Sequence, residues 1–377
     1  MKKHLFFVAL ASVALASCVK NEVESPVKEG ARIGFASPVL YSNMDTKASV
    51  YGEIGSHKYD GTETIYTYPR EEKFMIFAVE HSGNLTSWDA ATPTDFNTAA
   101  ISYNRSLDAW APLKADGGFY YWPDNMQLSF AAMSPAELDV DGATTAYSST
   151  GLVITDFVVA DDPAKQYDLL YSDRSINKTA KDMKDYGASY YGGIPIMFQH
   201  ALSSIHFSLR TDATETVTLL GIQLKNVKNK GTFKENITNE AEFARNPEWT
   251  AAENSAVKDY TSFTGEVDFP LNAQYVSALA ALDGTDDNDV SYPLLMMPQA
   301  LGNDVVVEVK YEVGGEAKTR TVQLNQYPAT NPITTWAVGT NYTYRLVYSR
   351  EAQRNDIIYF SPETDVWTDG GIIEVIL

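Results

Sequence analysis

Short stretches of hydrophobic residues, some continuous and some alternating with polar residues, recur along most of the chain. Turn-forming residues separate them, for example at 114–118 and 283–287. Only residues 247–257 and 275–282 have patterns compatible with short helices. The pattern predicts an all-β fold of many short strands. The clearest strand-length stretches are residues 74–79, 128–131, 205–209, 217–220, 305–309, 342–348 and 357–360.

The length and composition of the chain suggest how these strands are organised. The chain has 377 residues, enough for two to three domains of about 150 residues each. Aromatic residues account for 12% of the chain, a composition that favours strands. We therefore expect two tandem β-sandwich domains. The strand pattern is interrupted at residues 190–195, which places the domains at 31–195 and 196–377.

The first 17 residues have the pattern of a secretory signal peptide. Lys2 and Lys3 precede an almost continuous apolar stretch, residues 5–16, that is too short to span a bilayer. The stretch ends in the sequence LASC at 15–18, which resembles a bacterial lipobox, where cleavage before the cysteine is followed by acylation. Cys18 is the only cysteine, so no internal disulfide can form. We expect a lipid anchor on Cys18.

Residues 18–30 are polar and acidic, with Glu22, Glu24, Glu29 and Pro26, and predict a flexible tether. Acidic residues soon after a lipidated cysteine resemble the surface-export signal of Bacteroides-like lipoproteins. A plain solvated linker has the same composition, so both interpretations remain open.

The charge balance and the absence of motifs exclude several classes of function. The formal charge of −20 repels phosphate backbones, so we expect no nucleic-acid partner. Phosphate-binding loops, dinucleotide fingerprints and nucleophile elbows are absent, so we expect neither a cofactor nor enzymatic activity. Residues 283–289 lack the glycine and glutamate of a calcium loop and predict a solvated hairpin loop. His200 and His206 could share one face of a strand, but no carboxylate lies nearby in sequence, which favours structural roles.

Three tryptophans suggest an alternative function. Trp88, Trp110 and Trp249 lie in polar, loop-like stretches, and exposed aromatic rings can stack on sugars. The alternative is therefore a monomeric surface lipoprotein that binds glycans. A glycosidase is a third hypothesis, which requires two carboxylates about 5–10 Å apart in a cleft.

A series of short motifs resembles the fimbrillin family, the pilins of type V pili in Bacteroides-like bacteria. The resemblance extends over nearly the whole mature chain and implies two transthyretin-like β-sandwich domains, with a structural role for His200. The motifs are FYYWP at 119–123, LSFAA at 128–132, DLLYS at 168–172, FQHALS at 198–203, IHF at 205–207, LLMMPQ at 294–299, and Trp336 with Gly339, Tyr342 and Tyr344.

The family resemblance implies a route from precursor to polymer. Fimbrillins are exported as lipoproteins, and a trypsin-like protease removes the N-terminal piece with its first strand. A strand from a neighbouring subunit then fills the groove. Here residues 32–40 would be the displaced strand, with Ile33 and Phe35 on one face. The cut would fall between Lys47 and Ala48, although the family more often has arginine there, and Lys47 could equally be an ordinary loop lysine.

The C-terminal tail, residues 371–377, has the pattern of a donor strand. Ile373, Val375 and Leu377 alternate onto one apolar face. An ordinary last strand of the second domain would have the same pattern. Residues 356–360 could serve as that last strand and leave the tail free.

The leading hypothesis is a non-enzymatic stalk or tip subunit of a fimbrium at the outer membrane and cell surface. Its expected partners are other pilin subunits, identical or paralogous, and the outer-membrane lipid at Cys18 before processing. A host or bacterial surface receptor is a further expected partner. Stalk, tip and anchor positions all fit the sequence, and either terminus could donate the strand.

Overall fold

The computed structural model shows an almost entirely β protein. Within the described residues, secondary structure consists of strands and four short 3-10 turns, at Trp88–Ala90, Pro163–Lys165, Ala180–Asp182 and Leu324–Gln326. The predicted all-β fold is confirmed. None of the helices in this part of the chain is long and apolar enough to cross a membrane. The structure describes residues 32–36, 39–40, 55–59, 63–68, 70–105, 109–138, 142–182, 193–194, 196–211, 215–239, 244–269, 276–277, 290–291, 293–327, 332–348 and 358–366.

The first half of the described chain forms one large sheet and half of a smaller one. The large sheet has eleven strands in the order β2-β3-β1-β13-β11-β8-β4-β6-β7, with β12 beside β8 and β5 beside β4. The strands are β1 (Val39–Leu40), β2 (Gly55–Tyr59), β3 (Glu63–Thr67), β4 (Phe74–His81), β5 (Thr92–Pro93), β6 (Ala99–Asn104), β7 (Ala109–Ala111), β8 (Gln127–Ser134), β9 (Thr144–Ser148), β10 (Gly151–Val158), β11 (Leu170–Ser172), β12 (Ser175–Lys178) and β13 (Met197–His200).

The central strands of the large sheet are covered on both faces, which explains why they read as continuous apolar runs. In β4, Phe74 and Ile76 belong to one hydrophobic core, whereas Phe77 and Val79 belong to another. All four side chains are at most 2% exposed. A strand packed on both faces needs apolar residues at every position, since neighbouring side chains point in opposite directions.

The second half forms two five-stranded sheets that share a core. Their orders are β21-β14-β26-β27, with β23 beside β14, and β22-β20-β15-β24-β25. Strands β14 and β26 are parallel neighbours, and β26 and β27 are antiparallel. The strands are β14 (Ser203–Thr211), β15 (Val217–Lys228), β16 (Lys230–Lys234), β17 (Ile237–Asn239), β18 (Ala244–Arg245), β19 (Glu248–Ala251), β20 (Val257–Asp268), β21 (Val276–Ser277), β22 (Val290–Ser291), β23 (Leu294–Met296), β24 (Val306–Val313), β25 (Glu316–Gln323), β26 (Thr340–Tyr348) and β27 (Ile358–Val366).

A four-stranded sheet joins the two halves of the chain. Its order is β19-β16-β10-β9, so strands from both sides of residue 195 pair directly. Ile154 lies opposite Phe233 in the register of β10 and β16. Trp249 of β19 lies 5.5 Å from the rings of both Phe157 and Phe233, measured between ring centroids. Its indole nitrogen donates a hydrogen bond of 2.6 Å to the carbonyl of Ala201.

The prediction of short helices at 247–257 and 275–282 is wrong, because the described residues of both stretches include strands. Residues 248–251 form strand β19, and β20 begins at Val257. Exposed and partly buried side chains alternate along β19, and its pairing with β16 overrides the weak helical pattern. In the second stretch, Val276–Ser277 forms strand β21 beside β14, and the rest lies outside the described residues.

A buried charge cluster reinforces the same junction. Glu235 is fully buried and accepts a hydrogen bond of 2.9 Å from the amide of Leu152. Arg245 pairs with Glu235 at 3.2 Å and also with Asp173. Burial raises the pKa of Glu235 above its usual value. At Gly151, where φ is +94°, a Cβ atom would lie 2.5 Å from the Glu235 carboxylate, so the position requires glycine.

We expect Trp249→Ala to lower the free energy of unfolding by about 3 kcal/mol, because it removes ring contacts on both sides of the junction. Trp249→Phe keeps a ring but loses the indole donor, so its expected cost is about 1 kcal/mol. Urea titrations followed by circular dichroism measure both values. Losses below about 0.5 kcal/mol for both variants would contradict this account of the junction.

Candidate functional site

The segment near the N-terminus, residues 32–36 and 39–40, is hydrogen-bonded to neighbours on both sides. On one side, the amide of Ile33 donates to Tyr120 at 2.9 Å and that of Phe35 donates to Trp110 at 2.7 Å. On the other side, the amide of Ala36 donates to Ile194 at 3.0 Å, and the amide of Ile194 donates to Gly34 at 2.9 Å. The segment is therefore an integral strand with no open edge along residues 33–36.

The position of this segment closes the large sheet around one core. Phe35 bridges to Trp110 of β7, which is the last strand of the sheet order. It also bridges to Ile194, which lies just before β13, the fourth strand of that order. Farther along, β1 pairs in parallel with β13 and antiparallel with β3. We name this segment the closing strand.

The closing strand contributes two fully buried side chains to a core rich in aromatic residues. Ile33 is 3% exposed and Phe35 is 0% exposed, and both belong to the same core. The Phe35 ring meets Phe130 edge-on at 5.3 Å and Phe74 at 6.1 Å. Ile33 and Phe35 thus lie on one face, and their role as a displaced strand remains a prediction.

The walls around the closing strand form a groove, which we define by residues 109–111, 119–121, 193–194 and 196–198. Its floor is the aromatic core beneath, where the Tyr68 ring lies 5.4 Å from Trp110 and 5.7 Å from Phe198. Each buried Ile or Phe side chain contributes about 1.5–3 kcal/mol, and each hydrogen bond about 0.5–1.5 kcal/mol. Loss of the closing strand would therefore expose apolar side chains and leave backbone groups without hydrogen bonds, at a cost in free energy of several kcal/mol.

Gly193 is the point of closest approach between the closing strand and its wall. A Cβ atom at this position would lie 2.6 Å from the Ala36 nitrogen, 2.7 Å from the Gly34 oxygen and even closer to the Phe35 carbonyl carbon. All three are backbone atoms, which cannot move aside as a flexible side chain does. Glycine at 193 is therefore a steric requirement of the groove.

Exposed apolar residues surround the mouth of the groove. The guanidinium of Arg32 lies 4.6 Å from the ring centre of Phe119, a cation–π contact. Leu113 and Tyr121 are 40% and 39% exposed, which is unusual for large apolar residues in this protein. Leu113 bridges to Phe119 across a tight hairpin. This rim is a hydrophobic patch beside the entry of the closing strand.

The other residues singled out from the sequence for processing and exchange lie outside the described residues. They are Cys18, Lys47, Ala48, Ile373, Val375 and Leu377, together with the acidic loop 283–289.

The expectation that three tryptophans are exposed is wrong. Trp110 is 0% exposed and Trp88 is 5% exposed, while Trp249 is half-buried against the core. Trp110 is enclosed by rings from distant strands, including Phe74 at 5.6 Å. Trp88 is covered by the ring of Tyr147 and the guanidinium of Arg174. The residues beside these tryptophans in the sequence are polar, but their aromatic partners are distant in sequence and bury them. None of the three is an exposed ring on which a sugar could stack.

The two histidines each have a separate partner. His200 at the end of β13 pairs through Nδ1 with the carboxylate of Asp168, and both side chains are 3% exposed. Asp168 lies 32 residues upstream, too far along the chain for a local pattern to identify it as the partner. His206 contacts the Ser204 hydroxyl at 2.6 Å, and desolvation lowers the pKa of His206 to about 4. In the part of the chain described here, no three His, Cys, Asp or Glu residues form a metal-binding group.

These features define an all-β protein in which residues 32–36 are inserted between two distant parts of the chain and hydrogen-bonded to both. The chain belongs to the fimbrillin-like family, whose model matches residues 67–367. Among curated proteins, none matches this chain.

Solved structures with the same fold come from two Bacteroides species. A fimbrial protein from Bacteroides vulgatus is 17% identical with a TM-score of 0.55, and the match covers 89% of this chain and 99% of that one. A protein of suggested cell-adhesion function from Bacteroides ovatus is 13% identical with a TM-score of 0.50, with 91% and 99% covered. At these identities the similarity shows the fold alone.

Family membership makes this chain a pilin-type subunit of the cell surface that associates with other pilin subunits. Proteins of this family are structural, so the prediction of a non-enzymatic protein is confirmed. The glycosidase hypothesis is thereby removed.

We expect Phe35→Ala to lower the free energy of unfolding by about 3–5 kcal/mol, because Phe35 fills a closed aromatic site. Leu113→Ala is the control, since Leu113 is 40% exposed and its loss should cost under about 0.5 kcal/mol. Urea unfolding of both variants measures the difference. Equal costs for the two would show that Phe35 is not part of the core.

We expect Gly193→Ala to destabilise the protein by about 1–3 kcal/mol and to speed amide exchange at Ile33 and Ala36, because the added methyl displaces the closing strand. Gly221→Ala in β15 is the matched control, since a Cβ atom there meets nothing closer than 3.6 Å. Hydrogen exchange measured by mass spectrometry compares the two variants. Unchanged protection of residues 33–36 in Gly193→Ala would contradict the close approach.

Proposed function

We propose that this protein is a stalk or tip subunit of a fimbrium, which polymerises by exchange of its closing strand. The observation that carries the proposal is the double-sided pairing of residues 33–36, together with the burial of Ile33 and Phe35. A strand in this position, once cut from the chain, can be replaced by another of the same pattern. Strand addition supplies both the backbone hydrogen bonds and the side-chain contacts.

The proposed precursor is a lipoprotein with a signal peptide at 1–17, an acidic tether at 18–30 and a lipid on Cys18 in the outer membrane. A trypsin-like protease then cuts between Lys47 and Ala48. This position supports the proposal because it follows Leu40, the last described residue of the closing strand, and precedes β2 at Gly55. A single cut there detaches the closing strand with its lipid and leaves β2 and β3 on the subunit.

The proposed donor strand is the C-terminal tail, residues 371–377. Strand β27 pairs along its whole length with β26 and is the last strand of its sheet order, which supports a tail that is not needed within the second domain. Ile373, Val375 and Leu377 repeat the two-residue spacing of Ile33 and Phe35. A tail with this spacing can place successive side chains into the aromatic core of a neighbouring subunit.

The proposal keeps the division into domains at 31–195 and 196–377. The first would accept a strand and the second would donate one. The sheet β19-β16-β10-β9 supports a rigid subunit, because its hydrogen bonds link the two proposed domains.

We expect the lipid-free chain from residue 18, with Cys18→Ser, to form detergent-resistant ladders after limited trypsin treatment, because trimming frees the groove. Lys47→Gln should prevent both the new N-terminus at Ala48 and the ladders. Lys165→Gln, which removes a lysine whose side chain is 78% exposed, is the matched control and should form ladders normally. N-terminal sequencing and denaturing gels give the two measurements.

The donor strand is tested separately in the same assay. Ile373→Asp with Val375→Asp should abolish ladders after normal trimming, whereas Glu374→Gln on the other face should not. A trimmed wild-type protein that stays monomeric and loses no stability would overturn strand exchange. Recovery of the cellular protein with Cys18 at its N-terminus would instead indicate a retained lipid anchor.

A further inference from the structure

The hairpin formed by β2 and β3 is joined to the large sheet through the last residues of the closing strand. The sheet order begins β2-β3-β1-β13, so β1 lies between the hairpin and the rest of the sheet. On one side, Val39 and Leu40 pair with residues 66–67 of β3. On the other side, the same two residues pair with residues 197–198 of β13. Among the described strands, β2 and β3 pair with no strand except β1 and each other.

Tyr68, which directly follows β3, anchors one end of the hairpin to residues outside the closing strand. The Tyr68 side chain is buried, and its ring lies 5.4 Å from Trp110 and 5.7 Å from Phe198. Its hydroxyl donates to the carbonyl of Lys73 at 2.9 Å and lies 2.8 Å from the hydroxyl of Ser134. All four of these residues follow the proposed cut and stay on the trimmed subunit. This anchor therefore does not depend on the closing strand.

The proposed cut between Lys47 and Ala48 takes away the sheet partner of the hairpin. The cut piece carries β1 with it, and Ala48 becomes the new chain end, so the hairpin stays joined to the subunit at Tyr68. A two-stranded hairpin by itself is at best marginally stable in water. Loss of β1 thus frees the hairpin from the sheet while Tyr68 keeps it next to the groove.

We propose that the β2–β3 hairpin, residues 55–59 and 63–67, is a clamp that opens when the closing strand leaves and closes over a strand from a second copy of this chain. This inference rests on the proposed strand exchange and adds the edge of β3 to the binding surface. The incoming strand pairs with the groove at the positions of residues 33–36. It then enters between β13 and β3 at the positions of residues 39–40.

The clamp sets a minimum length for the incoming strand. A strand that ends at the position of Ala36 fills the groove and leaves β3 without a partner. A strand that continues to the position of Val39 pairs with β3 and restores a three-stranded arrangement, which is more stable than a hairpin alone. The proposed donor, residues 371–377, reaches β3 when Leu377 takes the position of Val39. A strand held in this way leaves the groove only after the hairpin has opened.

The first test uses the untrimmed chain and does not depend on strand exchange. Val39→Pro with Leu40→Pro removes both backbone donors of β1, so we expect amide exchange in the clamp to become about ten-fold faster, with residues 33–36 still protected. Val276→Pro with Ser277→Pro in β21, another two-residue strand, is the matched control and should leave the clamp unchanged. Hydrogen exchange followed by mass spectrometry measures both variants. Unchanged exchange of the clamp in the β1 variant would overturn the proposal.

The second test supplies the strand as a peptide. The lipid-free chain with Ile373→Asp and Val375→Asp is trimmed, separated from its cut piece and mixed with a synthetic peptide of residues 31–40 or 31–37 of this chain. Both peptides should bind the groove, but only 31–40 should slow amide exchange of the clamp to nearly its untrimmed rate, because only 31–40 reaches β3.

The outcomes separate the clamp from the proposed donor strand. Equal slowing by both peptides, or exchange of the clamp that is the same before trimming and after removal of the cut piece, would overturn the clamp, even where the wild-type protein forms ladders. Slowing by peptide 31–40 alone in a protein whose wild-type form makes no ladders would support the clamp and overturn donation by the C-terminal tail.

Discussion

A strand inside a sheet needs hydrogen bonds from its backbone amides and carbonyls to neighbours on both sides. The closing strand forms such hydrogen bonds with two walls of the groove. The amides of Ile33 and Phe35 donate to Tyr120 and Trp110 on one side, whereas the amide of Ala36 and the carbonyl of Gly34 pair with Ile194 on the other. Those walls come from distant parts of the chain, and residues 33–36 hydrogen-bond to both of them. The aromatic core beneath depends on the same strand, because Phe35 is a fully buried member of that core.

The junction between the two halves explains how a force on one strand can be carried through the subunit. Strands β10 and β16 share backbone hydrogen bonds, and Trp249 packs on rings from both. The buried pair of Glu235 and Arg245 ties the hairpin β17–β18 to the same region. A polymer joined by exchanged strands needs such a connection, because a loose linker would extend before the strands bear load.

The two faces of strand β4 belong to different hydrophobic cores. Phe74 and Ile76 face the core under the closing strand, whereas Phe77 and Val79 pack in the other core with Trp88. The core under the closing strand is therefore separated by a sheet from the core that extends into the second half of the chain.

Local pattern alone determined the all-β class and many of the strands, which follow from short continuous or alternating apolar runs. The shared face of Ile33 and Phe35 follows from two-residue alternation. The family motifs likewise follow from short runs of residues. Tertiary structure alone decided the pairings, because strand partners such as Trp110 and Ile194 are distant in sequence. The same reason accounts for the buried tryptophans, the Asp168 partner of His200 and the close approach at Gly193, since each depends on neighbours that no local pattern specifies.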